Sequence, residues 1–250
     1  MNIKKFQIAL TIILLLVKVE VFACSCMPSL FAEKYAEADF VALAEVLKVH
    51  PNAPDSDYYS IEIDIKEHFK GNQVSSIFVL GNYQGDSGAG CGISIPRGTI
   101  MIVYANNYQE KLQINYCSGT TFIKSWDNQG LKRELKMLHT LKEKRVDFVN
   151  QVKLHEISRC INLKKFDGIR LESNSFILFE ISLDPDLQAQ KITLLGESGM
   201  DSIVSELKTM ISKSKWEILF NGKEKPEKLL YSVFYYKDED SQGFLSQFDL

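Results

Sequence analysis

Two cysteines one residue apart, Cys24 and Cys26, stand behind an apolar N-terminal run, and three more follow at Cys91, Cys117 and Cys160. Thiols so placed can do two kinds of chemistry. They can oxidise in pairs, or as thiolates they can hold a metal ion. Compartment decides, because exported chains oxidise such pairs and cytosolic chains keep them reduced. Five is an odd number, so one thiol is left over, and four cysteines allow three pairings that spacing alone does not separate. Other chemistry is thinly supplied. His50, His68, His139 and His155 are scattered, and no H-E-x-x-H pattern occurs. Glu62 and Asp64 alternate with isoleucines and read as the wet face of a strand.

The compartment is indicated by MNIKKFQIALTIILLLVKVEVFA. Lys4 and Lys5 give a positive start, Phe6 to Val17 an apolar stretch, and Val21-Phe22-Ala23 a cleavage site, so residues 1–23 read as a secretory signal peptide. The apolar stretch is about 12 residues, short of the roughly 20 that span a bilayer. An uncleaved anchor, or lipid attached to Cys24, is the alternative. The reading predicts an exported protein, periplasmic, on the cell surface or secreted, with no transmembrane span. The formal charge of −3 becomes −5 when Lys4, Lys5, Lys18 and Glu20 leave with the leader, so nucleic acid is not expected as a partner.

The thiols need elements to position them. Asp39–Val49 is a mostly apolar strand candidate. Tyr58–Phe69 alternates Ile61, Ile63 and Ile65 with Glu62, Asp64 and Lys66, the period of a half-buried strand. SSIFVLG, Thr99–Ala105 and Leu112–Tyr116 add three more strands, and the glycine-rich stretch around Cys91 reads as irregular. From Asn128 to about Lys153 the spacing of Leu131, Leu135, Leu138, Leu141, Val146 and Val149 predicts a helix. Five strands closed by a helix suit an all-β, OB-like Greek-key barrel over residues 24–153. Residues 154–237 read as a small α+β domain, with strands at Ile161–Leu163, Phe176–Leu183, Ile192–Leu195 and Leu229–Tyr236 and a helix over Met200–Ser214. Residues 238–250 read as a mobile tail. Two bridges from the C-S-C pair to Cys91 and Cys117 would staple the N-terminal strip across the barrel, leaving Cys160 over. Each would close a loop of more than 60 residues, for which chain entropy gives roughly 4 kcal/mol.

At these residues the chain resembles the netrin-like module, most closely the tissue inhibitors of metalloproteinases, over about residues 24–150. CSCMP followed by ADFVALAEV resembles their C-x-C-x-P opening and first barrel strand. CGISI, TIMIVYA, LQINYCS and SWDN resemble the run of C-G, strand, strand, C-S and tryptophan that follows. The resemblance implies the pairings Cys24–Cys91 and Cys26–Cys117. It also implies a mode of action in trans: the free α-amino group and carbonyl of Cys24 chelate the catalytic zinc of a partner protease, and Ser25 enters its specificity pocket. Cys24, Ser25, Cys26 and Met27 are then the partner-binding edge.

A fainter likeness covers about residues 160–237. KITLLGESGMDSIVSELKTMISKSKWEILFNGKEKPEKLLYSVFYY resembles the C-terminal domain of TonB-type energy transducers, with Trp216, Asn221-Gly222-Lys223 and Tyr231–Tyr236 in the corresponding places. It implies a domain that engages a membrane-associated partner, such as an outer-membrane protein, in a Gram-negative periplasm. Gly85-Asp86-Ser87-Gly88 copies the nucleophile signature of trypsin-like proteases, but a hydrolytic serine needs an oriented histidine base, and neither His50 nor His68 has the required surroundings. The reading is therefore an exported, non-enzymatic protein-binding module without a cofactor, and in its sharpest form a metalloprotease inhibitor. The alternative is an adaptor working through its C-terminal half.

Overall fold

The computed structural model describes residues 26, 30–84, 91–150, 152–171, 175–219, 225–237 and 242–248. The predicted signal peptide lies outside them.

The barrel is formed by β1 (Phe40–His50), β2 (Tyr58–Lys70), β3 (Ser76–Leu80), β4 (Ile100–Tyr108) and β5 (Lys111–Ile114). β1 pairs antiparallel with both β2 and β4, β3 pairs parallel with β5, and β4 pairs antiparallel with β5. The order β1-β2-β3-β5-β4 therefore returns to β1 and closes the barrel. A two-residue strand, β6 (Thr121–Phe122), extends it alongside β4. The predicted alternation works as read: Ile61 and Ile63 are buried in the lumen with Ala42, Ala44, Ile77, Val79, Met101 and Val103. Register shifts in the β1–β2 ladder, at Val41/Ala42, Leu43/Ala44 and Val46/Lys48, supply the bends that a small closed barrel needs.

β4 is buried on both faces, because Ile102 and Tyr104 point outward yet are fully covered. Their cover is α1 (Phe31–Glu37) and α2 (Gln129–Glu143). Asn128 caps α2, its Oδ1 accepting from the Leu131 amide at 2.9 Å. The predicted helix to Lys153 is too long by ten residues. Arg145 turns to φ 55°, Arg145 N–H donates to Lys142 O at 3.0 Å, and Val146 N–H donates to Leu141 O at 3.0 Å. This left-handed termination buries Val146 against the helix it ends, which keeps the apolar spacing while breaking the helix.

Beyond α2 the predicted strand at Ile161–Leu163 is absent. A short strand β7 (Leu154–Glu156) precedes it, and Leu163–Phe166 forms a 3-10 turn that buries Phe166. Then come β8 (Phe176–Leu183), β9 (Ala189–Ser198), α3 (Asp201–Ser212), β10 (Trp216–Ile218), β11 (Lys228–Lys237) and β12 (Gly243–Ser246). β10 pairs with β7, and the others make an antiparallel sheet in the order β12-β11-β8-β9. β12 corrects the expectation of a mobile tail: it pairs with Phe234–Lys237, buries Leu245, and depends on Gly243, where a Cβ would meet Ile169 O at 2.1 Å. One face of this sheet packs Ile177, Phe179, Ile181, Tyr231 and Val233 against α3 and Trp216. The other face packs Phe176, Leu178, Leu230 and Phe234 into the cluster that holds α1, α2 and the outer side of the barrel. The two halves of the chain thus share a core.

A buried cation locks α1 to the barrel. Lys70, at the end of β2, is 3% exposed, and its Nζ donates to the carbonyls of Tyr35 at 2.7 Å and Ala36 at 3.3 Å, satisfying the last turn of α1. Burial lowers the Lys70 pKa to about 8, against the opposing pull of Asp39 and Asp147. Between pH 8 and the ordinary lysine value the unfolded chain binds the extra proton, so stability rises with pH across that window. The full effect is about 3 kcal/mol at 1.36 kcal/mol per unit. Urea unfolding at pH 7.5 and 9.5 should show this rise in wild type and not in Lys70→Met; equal slopes in the two proteins would refute it.

Candidate partner-binding edge

Cys26 and Cys117 form a disulfide with a Cα–Cα distance of 5.4 Å across 91 residues of sequence. The Cys117 end sits in a tight turn after β5. Asn115 Oδ1 accepts from the Cys117 amide at 2.8 Å, and the Asn115 amide donates to Ser118 Oγ at 2.9 Å. The next amide back, Tyr116 N–H, donates to Cys91 O at 3.1 Å. Cys91 therefore lies beside Cys117, so the two cysteines predicted to receive the C-S-C pair occupy one spot on the barrel. Cys24, Ser25 and Met27, and with Cys24 the predicted Cys24–Cys91 bridge, lie outside the described residues. Cys160 is a free thiol at half-burial, near β7.

From Cys26 the chain runs into α1, which fastens it. Phe31 and Tyr35 are buried, and the Tyr35 hydroxyl donates to Val146 O at 2.7 Å. Burial, helped by the Asp147 charge, pushes the Tyr35 phenol well above its usual value, so it stays a donor. Lys34 Nζ meets Glu134 Oε1 at 2.5 Å; the same oxygen accepts from Tyr104 OH at 2.7 Å and Thr121 Oγ1 at 3.2 Å. Lys34 also lies over the Tyr104 ring, 4.5 Å from its centroid. This network, buried at Glu134 and Tyr104, joins α1, α2, β4 and β6.

The segment that carries Cys117 is rich in exposed aromatics. Tyr116, Phe122 and Trp126 show 62%, 41% and 50% of their surface to solvent. Phe122 lines a cleft with Phe31 and Lys34 of α1 and Leu131 of α2. Sequence reasoning used Trp126 only as a marker of the resemblance and passed over the other two. The available signal was three large aromatics within eleven residues of polar chain, in a stretch that forms only one two-residue strand.

The other predicted features fall elsewhere. Gly85-Asp86-Ser87-Gly88 and Asn221-Gly222-Lys223 lie outside the described residues. Trp216 is 5% exposed and serves as a core anchor. The histidines stay apart: His50 Nε2 pairs with Glu62 at 2.6 Å, His139 Nδ1 lies 3.3 Å from Glu67, His68 packs on the Phe40 ring, and His155 is exposed on β7. No group of three or more His, Cys, Asp or Glu among the described residues is placed to hold a metal ion. No helix among them is long and apolar enough to cross a membrane. No family model matches the chain, and no curated protein does.

Proposed function

We propose that this is an exported, non-enzymatic protein-binding module that engages its partner with the disulfide-fastened edge Cys24–Met27 and the aromatics around it. The observation that carries the reading is the Cys26–Cys117 bridge. It supports an oxidising compartment, and it fastens Cys26 to the turn after β5. Tyrosine and tryptophan on exposed ground are the residue types that dominate binding energy at protein interfaces.

In its sharpest form the partner is a zinc metalloprotease. Cleavage after Ala23 frees the Cys24 α-amine. An α-amine has a pKa near 7.7–8.0, so a substantial fraction carries a lone pair at neutral pH. A catalytic zinc keeps one coordination position open for water or substrate and can expand to five ligands, so the Cys24 amine would take the open position and its carbonyl the added one. Ser25 would follow into the pocket beside the metal.

The test is a one-residue extension. Mature protein beginning at Cys24 should inhibit a zinc metalloprotease, and the same protein with an alanine added before Cys24 should lose at least a hundredfold in inhibition with an unchanged melting temperature. Equal inhibition by both forms, or none by the mature form across a panel of such proteases, overturns the inhibitor reading. Deleting residues 160–250 is a poor test of the adaptor alternative, because it would strip Phe176, Leu178, Leu230 and Phe234 from the core that supports α1.

A further inference from the structure

The cleft that Phe122 shares with α1 and α2 has a volume of about 400 Å³. It borders the segment that carries the cysteine bridge. Gly119, two residues beyond Cys117, packs so closely on Lys34 that an added Cβ would stand 3.0 Å from Lys34 Cδ, and Lys34 lines the cleft. The apolar lining is Phe31, Phe122, Ile123 and Leu131. Phe31 and Leu131 are buried, Ile123 is half-buried, and Phe122 is exposed.

The charges in this lining do not balance. Glu134 is the one carboxylate among the described lining residues, and it is already matched. Its Oε1 takes Lys34 Nζ at 2.5 Å, Tyr104 OH at 2.7 Å and Thr121 Oγ1 at 3.2 Å. Lys124 also lines the cleft, is exposed, and has no ion pair or hydrogen bond among the described residues. Asp127, the nearest acid along the loop, engages Lys132 Nζ at 3.2 Å instead.

Two neutral donors complete the lining. Ser125 Oγ accepts from the Asp127 amide at 3.2 Å and keeps its own proton to donate. Asn128 uses its Oδ1 to cap α2, and its Nδ2 has no partner among the described residues. A free ammonium, a hydroxyl and an amide NH2 over an apolar floor form a set of donors without an acceptor. A carboxylate is the group that such donors fit, because it accepts only and carries the opposite charge. A cation would meet Lys124 as a like charge.

Resting on the protein-binding reading of the cysteine edge, we propose that this cleft receives an aspartate or glutamate side chain carried beside an apolar residue on the same partner. Lys124 pairs with the carboxylate, and Phe122 packs on the apolar neighbour.

Short peptides test the cleft without any protease. In the isotope-labelled mature chain, acetyl-Phe-Glu-amide should shift the amide resonances of Phe122–Ser125 and Leu131 saturably. Acetyl-Phe-Gln-amide should bind about fivefold more weakly, the upper end for an ion pair on exposed ground. Acetyl-Phe-Lys-amide should bind more weakly still. The preference for Glu over Gln should fall below about twofold in about 0.5 M NaCl, because salt screens an exposed pair. Lys124→Glu should reverse the order, so that the Lys peptide binds best, with an unchanged melting temperature. Three results overturn the assignment: no saturable shift at these amides, equal binding of the Glu and Gln peptides by the unsubstituted protein, or a Glu preference that survives in Lys124→Glu. Peptide binding as expected with no protease inhibited would sink the zinc reading and leave the acidic-side-chain site standing. Protease inhibition without peptide binding would do the reverse.

Discussion

Replacing both Cys26 and Cys117 with serine should cost about 4–5 kcal/mol of unfolding free energy, the loop-entropy value for a bridge across this many residues. Stabilities of whole domains run from about 5 to 15 kcal/mol, so this is a large fraction of the total. The geometry says why the loss should approach the full value. The Cys117 end is held by the Asn115 and Ser118 turn, and α1 is held to the rest of the fold through Tyr35, Lys34 and the Lys70 ammonium, contacts that involve neither cysteine. Nothing in the folded state has to move to accommodate the serines, so the change acts on the unfolded chain. The double variant is preferable to either single one, which would leave a thiol free to mispair with Cys160. Urea unfolding in the absence of reductant measures the effect. A loss below 1 kcal/mol would show that the strip is held by α1 alone, and the case for a sulfur-fastened binding edge would go with it.

Phe234→Ala should cost about 3–5 kcal/mol, the usual range for a large aromatic removed from a closed core. Phe234 is fully buried on β11. Its ring lies under the Arg133 guanidinium, 4.9 Å from centroid to Cζ, and Arg133 donates to Tyr236 OH at 2.8 Å. The same ring belongs to the cluster containing Tyr35, Ile102, Tyr104 and Leu138. The substitution therefore removes material from a core that both halves of the chain use. Hydrogen exchange should show protection falling together in β1 and β2 of the barrel and in β8 and β9 of the sheet. Protection lost only in β8, β9 and β11, with the barrel unchanged, would mean that the halves unfold independently.

Much of the architecture can be read from residue order. The β8 bounds fall where FILFEISL begins and ends, and β2 runs one residue past its predicted end, because uninterrupted or alternating apolar patterns are strong local signals. What escaped the reading has a physical cause in each case. α1 is only seven residues long, with Phe31, Ala32, Tyr35 and Ala36 on its buried side, too short for a period to stand out. Arg145 adopts a left-handed backbone without being glycine, so nothing in its identity announces the end of α2. Arg133 and Glu134 look like solvent-facing charges on an amphipathic helix, yet both are 4% exposed, because the second sheet and the Lys34 network cover them. Their burial depends on partners about a hundred residues away. Of the candidate edge, the order of the cysteines was legible; the exposure of Tyr116, Phe122 and Trp126 was not, since exposure is a property of the fold.

The barrel meets its closing partners late. β1 must find β4, and β3 must align parallel with β5, before the lumen is sealed, and the α1 and α2 layer over β4 then stays without its own cover until β8 and β11 arrive. Non-local pairing of this kind makes folding slow, because loop entropy is spent before contacts return it. A chain delivered N-terminus first would thus hold an open, greasy flank on the α1 and α2 layer for as long as its last hundred residues were still arriving. Maturation of such a molecule is governed by completion of its far end, and any factor that shields that flank in the interval would set its yield.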